Sequence, residues 1–505
     1  MPVKSIIINL MTNIYDDPLH NHMNDYEKVE KEYLSAAYNP DVDIFIFLLY
    51  TSPGNKNSIK MRQLKKGVGK YEFEDGDIKN EFDFGDIENL KTLFSGLHGL
   101  DSYTNKILVT WDHGYSYLMF KNVISATDKS LKNLFNISYS VEKWMEFANL
   151  KEIKNIDPNI GEKLTLFENA LKANDIPGHD HSSVTKEIDN DPSWVEVKEQ
   201  IFEKLIISTT TSFPVYDTYD FNFSFAVKEL TALTMNELSL AISGSNMKKF
   251  DLIVMSNCYM QTIDTAYALR DCCNYLIAPQ TTFPWESYDF SSIVPAKNAV
   301  VNDEFCKTIL TQTQDSLEKK LVPGSGDVQL NEIGFSCIKM ANSKVIFEEL
   351  EKIINFMTDY HAALSDDIYY SANQLCDLTH IDGTNPDDNI RLDQIDLYFL
   401  LEFLNFKWNK YPEFAGPYNK LKKEFTSNSF VIDNKKGDIF YWSASSPIPK
   451  NACKGVSIFF PKSKKSYLNS NYGNIFIYDG SKTQTMFSKN LRWGYFIEKF
   501  FAQFH

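Results

Sequence analysis

At 505 residues the chain is too long for one small core, so two or three structural units are expected. Hydrophobic residues at 43% and charged residues at 23% exclude a wholly disordered chain, and an aromatic share of 14% supplies large groups to bury. A formal net charge of -16 argues against nucleic acid as a partner, since phosphate binding needs clustered Lys and Arg.

No apolar run approaches the roughly 18 residues that a bilayer-spanning helix needs, so no membrane partner is expected. Residues 2–11 carry one Lys and a short apolar segment without a small-residue cleavage site, so they read as a first strand and not as a signal peptide. Seven cysteines, an odd number in a long chain, do not read as a disulfide framework. Both observations point to a cytoplasmic protein.

Residues 5–11 form the first apolar strand, followed by a polar turn with Asp16 and Asp17, a helix over 25–37 and a second strand over 42–50. Residues 51–70, with Pro53-Gly54 and scattered Lys, read as a surface loop or hairpin. Gly85-Asp86 opens a helix in which Ile87, Leu90, Phe94 and Leu97 recur at helical spacing, and a third strand follows over 107–111. The stretch from His113 to Cys258 is longer than a simple crossover requires. Within it, 141–150, 161–173 and 193–207 read as helices, while the polar 177–192 segment reads as a loop of the kind that proteases cut. His179 and His181 in that acidic loop are more often solvated than metal-bound.

Thr234-Met235-Asn236-Glu237 is a capping box, with Met235, Leu238 and Ile242 on the buried face of its helix. An apolar strand then runs through Leu252-Ile253-Val254-Met255 toward Cys258, and Met260, Ile263 and Tyr267 follow at helical spacing. Residues 274–278 make another strand, and 279–288 form a second wall beside its end. Beyond residue 300 the pattern turns helical, with Phe347, Leu350, Ile354 and Met357 on one helix and 391–403 forming another; 455–461 is a closing strand and 493–501 a last helix. This alternation makes an α/β fold with a mostly parallel sheet flanked by helices. Its expected units are a core over 1–119 and 208–300, a helical insertion over 120–207 with a candidate processing loop, a mainly helical region over 301–450, and a closing strand and helix over 451–505.

In such sheets ligands collect outside the carboxyl ends of the strands. Two groups stand there. Cys258 lies on a strand-to-helix turn, where helix amides lower a thiol's pKa, and His113 ends the 107–111 strand with a glycine behind it that lets the backbone approach a substrate. Together they can act as a nucleophile and a general base. Taken singly, a cysteine after an apolar strand more often packs than reacts, and a histidine there is more often a hydrogen-bonded structural residue. Cys272, Cys273, Cys306, Cys337, Cys376 and Cys453 have no evident base nearby and form no zinc pattern.

The ordered context decides between these readings. Trp111-Asp112-His113-Gly114, the later Ser256-Asn257-Cys258-Tyr259-Met260, Ala266-Tyr267-Ala268-Leu269, Ile395-Asp396-Leu397-Tyr398 and Gly455-Val456-Ser457-Ile458-Phe459-Phe460-Pro461 together resemble the clostripain family of cysteine peptidases, within the caspase-like superfamily. Family members read Asp-Ala-Cys-Leu-Met where this chain has Ser256 to Met260. The resemblance implies a caspase-like fold and a cysteine endopeptidase acting on peptide or protein substrates through a thioester, with Cys258 and His113 catalytic. It also implies an oxyanion site at the N–H groups of Gly114 and Cys258. No cofactor is required, although calcium activates some family members, and maturation proceeds by cutting between the histidine and the cysteine.

The family pairs substrate Arg or Lys with an acid two residues before the cysteine. Here that position is Ser256, and the neighbouring wall shows Gln280, so an uncharged or smaller residue is the expected preference. Trp285 and Tyr288 are candidate pocket walls and equally candidate core aromatics. Two readings stay open: an active endopeptidase made as a zymogen, or a catalytically idle relative that binds peptides or a protein partner.

Overall fold

An apolar run without polar alternation makes a stable strand only where both of its faces are covered, and five such runs lie side by side in this protein. The computed structural model describes residues 3–13, 22–52, 56–66, 71–80, 82, 84–97, 99–112, 114, 116–123, 230–284, 287–321, 333–373, 375, 378, 394–436, 453–461 and 485–502. Its strands are β1 (Ser5–Asn13), β2 (Val42–Ser52), β3 (Lys56–Lys66), β4 (Tyr71–Asn80), β5 (Asn105–Trp111), β6 (Leu118–Val123), β7 (Leu230–Thr234), β8 (Phe250–Ser256), β9 (Cys273–Pro279), β10 (Gly334–Lys339), β11 (Gln394–Asp396), β12 (Val431–Lys436) and β13 (Ser457–Phe459).

Nine of them join in one sheet, in the order β12-β10-β9-β8-β5-β1-β2-β3-β4. The five central strands, β9 to β2, are parallel, and antiparallel strands extend both edges. Ile7, Met11, Val109, Val254 and Ile277 share one core cluster with Val29 and Tyr33 of the His22–Ser35 helix and with Ile309 and Leu310 of the Asp303–Lys320 helix. The alternate residues Ile6, Ile8, Leu10, Leu108, Ile253 and Met255 point to the other face and are equally buried. The helices Ile87–Gly96, Met235–Ser243 and Ile263–Leu269 pack side by side in a row.

The C-terminal region closes on this sheet near the carboxyl ends of its parallel strands. β13 pairs antiparallel with β11, and Ser457 forms a parallel bridge with Thr262 just beyond the Cys258 turn. The Ser343–Tyr360 helix packs on the Pro412–Thr426 and Trp493–Ala502 helices. Phe356, Trp408 and Phe414 meet there edge to face or tilted.

The chain divides into two compact units, one formed by Met1–Asn122 with Thr231–His505 and the other by Val123–Leu230. Nearly all of the second unit, with the expected helices over 141–150, 161–173 and 193–207, the 177–192 loop, His179 and His181, lies outside the described residues. So do Asp16 and Asp17.

Of the two alternatives for 51–70, loop or hairpin, the hairpin holds: β3 pairs antiparallel with β2 and with β4, whose register sets Lys65 opposite Glu72 and Arg62 opposite Asp75. Two local expectations are corrected. The 391–403 helix begins at Leu397, because Ile395 and Asp396 belong to β11 and the Asp396 carboxylate caps the helix by accepting the Phe399 N–H. The helix after Cys258 starts only at Ile263, with Thr262 as N-cap, so Met260 belongs to the connecting turn.

Candidate active site

β5 and β8 run parallel side by side, and their last registered pair is Trp111 with Ser256. The segments that carry residues 112–114 and 257–258 therefore leave the sheet at the same edge. Asn257, fully buried, links them: its Oδ1 accepts the Thr110 hydroxyl at 2.5 Å and its Nδ2 donates to the Asp112 carbonyl at 3.1 Å. Gly114 presses from the same side. A Cβ built there would lie 2.4 Å from the Cys258 carbonyl oxygen and 2.7 Å from the Asn257 carbonyl carbon, closer than any side chain tolerates. His113 itself lies outside the described residues, while Asp112 and Gly114 on either side of it both meet the 257–258 segment.

Cys258 is half-buried, whereas Cys272, Cys273, Cys306, Cys337 and Cys453 are buried. Burial pushes the thiols of Cys272, Cys273 and Cys337 up, which keeps them protonated and inert. The Cys258 sulfur receives the Phe283 N–H at 3.3 Å. This corrects the expectation of a thiol facing helix amides, because the amide in contact comes from the wall after β9 and the helix starts five residues downstream.

The turns around these residues are strained. Ser116, Tyr259 and Ser287 are non-glycine residues held at φ of 66°, 61° and 58°, in the left-handed region that side chains avoid. Neighbouring contacts hold two of the turns. The hydroxyls of Thr262 and Thr265 both donate to the Ser116 carbonyl, at 3.1 and 3.0 Å, and the Tyr259 N–H donates to the Thr281 carbonyl at 3.0 Å.

The expected pocket residues fall in different surroundings. Ser256 is buried, with its hydroxyl bonded to that of Ser287. Gln280 is buried and its amide is engaged at both ends: Nε2 donates to Asp396 at 3.1 Å and Oε1 accepts the Gly455 N–H at 2.7 Å. Tyr288 is a core aromatic, wholly buried, with its ring 4.7 Å from Phe283 and 5.8 Å from Phe335. Trp285 lies outside the described residues. Phe283, Ser287 and the Thr262–Thr265 pair have no place in the reading of the sequence, and Asn257 enters it only as a departure from the family motif. Of these only Thr262 had a local signal, as a capping threonine ahead of a short apolar helix.

Among the described residues no group of three or more His, Cys, Asp or Glu side chains is placed to hold a metal ion. No helix among them is long and apolar enough to cross a membrane.

Among solved structures, the fold is similar to a secreted C11 cysteine protease from Bacteroides thetaiotaomicron in complex with an irreversible peptide inhibitor. The TM-score is 0.55 at 13% identity, covering 97% of this chain and 99% of that one. It is also similar to an inactive zymogen C11 protease from Parabacteroides distasonis, with a TM-score of 0.50 at 12% identity, covering 94% of this chain and 98% of that one. These likenesses show a shared caspase-like α/β fold. No curated protein matches the chain. The sequence model of the Clostripain family matches residues 219–500, more than half of the chain and the part that contains Cys258, so the chain belongs to the clostripain family and is a cysteine peptidase.

Proposed function

We propose that this peptidase is an endopeptidase that cleaves peptide bonds through a Cys258–His113 dyad and a thioester intermediate. The observation that carries the reading is the half-buried Cys258 at the end of β8, pressed against Gly114 at the end of β5 while the other described cysteines are buried. In the first step the Cys258 thiolate attacks the scissile carbonyl carbon, and the proton taken up by His113 passes to the leaving amine nitrogen as the C–N bond breaks. Water then attacks the thioester, giving its proton to His113, and the carboxylic acid product leaves as the thiol re-forms. The N–H groups of Gly114 and Cys258 are the donors proposed for the developing oxyanion. Phe283 holds the sulfur in place from both sides of its peptide, its N–H donating at 3.3 Å and its carbonyl accepting the thiol at 3.6 Å.

The primary pocket is proposed to take an uncharged side chain. Ser256 and Ser287 offer paired hydroxyls and no carboxylate, and a substrate guanidinium buried there without a counter-ion would lose several kcal/mol of hydration. Of the two aromatic walls considered, Tyr288 serves the core. The polar 177–192 segment is the proposed site of self-cleavage, and the likeness to a protease solved as an inactive zymogen supports an activation step. The mechanism requires no metal, and calcium is not assigned a place in it.

The test is labelling by peptide-derived thiol inhibitors at neutral pH, with hydrolysis measured over a panel of peptides varied at the residue before the cut. Labelling should map to Cys258, vanish in Cys258→Ala and fall by about 10²-fold or more in His113→Ala. Failure to label at all would favour an idle, peptide-binding relative. Cleavage confined to Arg and Lys peptides would overturn the uncharged pocket.

A further inference from the structure

We infer that Asn257 is a positioning residue of the dyad, holding Thr110 and Asp112 at the end of β5 against the segment that carries the Cys258 thiol. The inference rests on the dyad assigned above. The registered ladder between β5 and β8 ends at Trp111 and Ser256, and one residue later the two strands hand over to the segments that carry the reacting groups. At that point the Asn257 side chain takes over the bridging, fully buried, with its acceptor on Thr110 and its donor on the Asp112 carbonyl. The second contact falls on a meaningful atom. The Asp112 carbonyl directly precedes the histidine in the chain, so this bond ties the residue before His113 to the residue before Cys258.

The other side of the same loop is held by Gly114, whose α-carbon lies against the Asn257 main chain and the Cys258 carbonyl. Asp112 and Gly114 are thus both held against the segment that carries the nucleophile. An amide suits this place because it presents an acceptor and a donor in one plane. Alanine, which the family motif carries here, offers neither. Aspartate would turn an oxygen toward the Asp112 carbonyl and add a negative charge beside the thiol. The chain has therefore built into its nucleophile motif a side-chain bridge of its own, and strict geometry between thiol and imidazole depends on it.

The test compares Asn257→Ala, Asn257→Asp, Thr110→Val and Thr110→Ser for kcat, KM, the pH profile of kcat/KM and the pH dependence of Cys258 alkylation by iodoacetamide. A misplaced dyad should lower kcat in Asn257→Ala by roughly 10²-fold with KM nearly unchanged. Alkylation should require higher pH in Asn257→Ala, and higher still in Asn257→Asp, because the thiolate loses its imidazolium partner or gains a like charge. Thr110→Val should show a smaller loss of kcat, about tenfold, that Thr110→Ser restores, and adding it to Asn257→Ala should change little further. Parental kcat and pH profiles in a folded Asn257→Ala protein would overturn the inference, as would a Thr110→Val protein equal to the parent should Asn257→Ala fail to fold. Hydrolysis that persists in Cys258→Ala would instead overturn the dyad itself, and the two failures are distinct.

Discussion

Gly114 shows how little room the site leaves at the level of one atom. Its φ needs no glycine, yet a methyl group at its α-carbon would overlap the Cys258 carbonyl oxygen at 2.4 Å and two Asn257 carbon atoms at 2.7 Å. These are atoms of the main chain and of a buried side chain, so relief requires moving the segment after β5 away from the segment after β8. Gly114→Ala is expected to fold, because the displacement is confined to the turns beyond the carboxyl ends of two strands, and to lose about 10²-fold or more in kcat. Steady-state kinetics beside a thermal melt check this, and a variant with parental kcat would show that the close approach has no bearing on catalysis. The position proposed for the pocket behaves differently. The Ser256 hydroxyl already has a partner in Ser287, so its proposed contribution is a missing charge and not a new contact.

The Ile263–Leu269 helix is seven residues long, too short to persist by its own propensity, and every residue in it is buried. Its N-cap links it to the chemistry. Thr262 accepts the Thr265 N–H, and both threonine hydroxyls donate to the carbonyl of Ser116, three residues beyond His113. Thr262→Ala removes a cap and one of the two hydroxyl bonds to Ser116, so it is expected to lower stability by about 1–2 kcal/mol and to reduce kcat as the strained Ser116 turn relaxes. Chemical denaturation and kinetics on the same protein check it, and a stability loss with unchanged kcat would separate the helix from the site.

Legibility followed the physics of each element. β8 and β5 could be read because strands buried on both faces are unbroken apolar runs, and the Thr234–Glu237 box because both reciprocal bonds form as its sequence predicts. The β3–β4 hairpin was read only as a loop or hairpin, because its polar residues resemble a loop and pairing, not composition, makes it a sheet edge. The start of the helix after β11 was misplaced because Ile395-Asp396 serves as strand and cap at once. Ser256 is legible only through the resemblance to the clostripain family, whose motif carries an acid two residues before the cysteine. Tyr288 could not be sorted into core or pocket, since an aromatic after a strand end fits both, and Asn257 was passed over because its role depends on a neighbouring strand 145 positions away in sequence.

Across the whole molecule, two buried carboxylates fasten the C-terminal region to the sheet near the carboxyl ends of its parallel strands. Asp396 accepts the Lys454 N–H and the Gln280 amide, joining β9 to the segment before β13. Asp264 accepts the Thr485 hydroxyl at 2.6 Å, while its Oδ2 has no hydrogen-bond partner among the described residues. Burial raises the two acids from 3.8 to about 6 for Asp396 and about 7 for Asp264. Between pH 3.8 and those values the folded state holds protons that the unfolded chain releases, so each group's contribution falls as pH rises through that window and is least favourable above it. A shift of one unit corresponds to about 1.4 kcal/mol, so a few kcal/mol are at stake for Asp264 alone. Asp264→Asn keeps an acceptor for Thr485 and removes the charge. It is expected to raise the melting temperature by a few degrees at pH 8 relative to the parent, with that advantage shrinking toward pH 5, where the parent's carboxyl is protonated in the fold. Thermal unfolding of both proteins at the two pH values decides it: an equal difference at both would mean that Asp264 does not titrate in this window, and that the link between the Ile263–Leu269 helix and Thr485 is insensitive to pH.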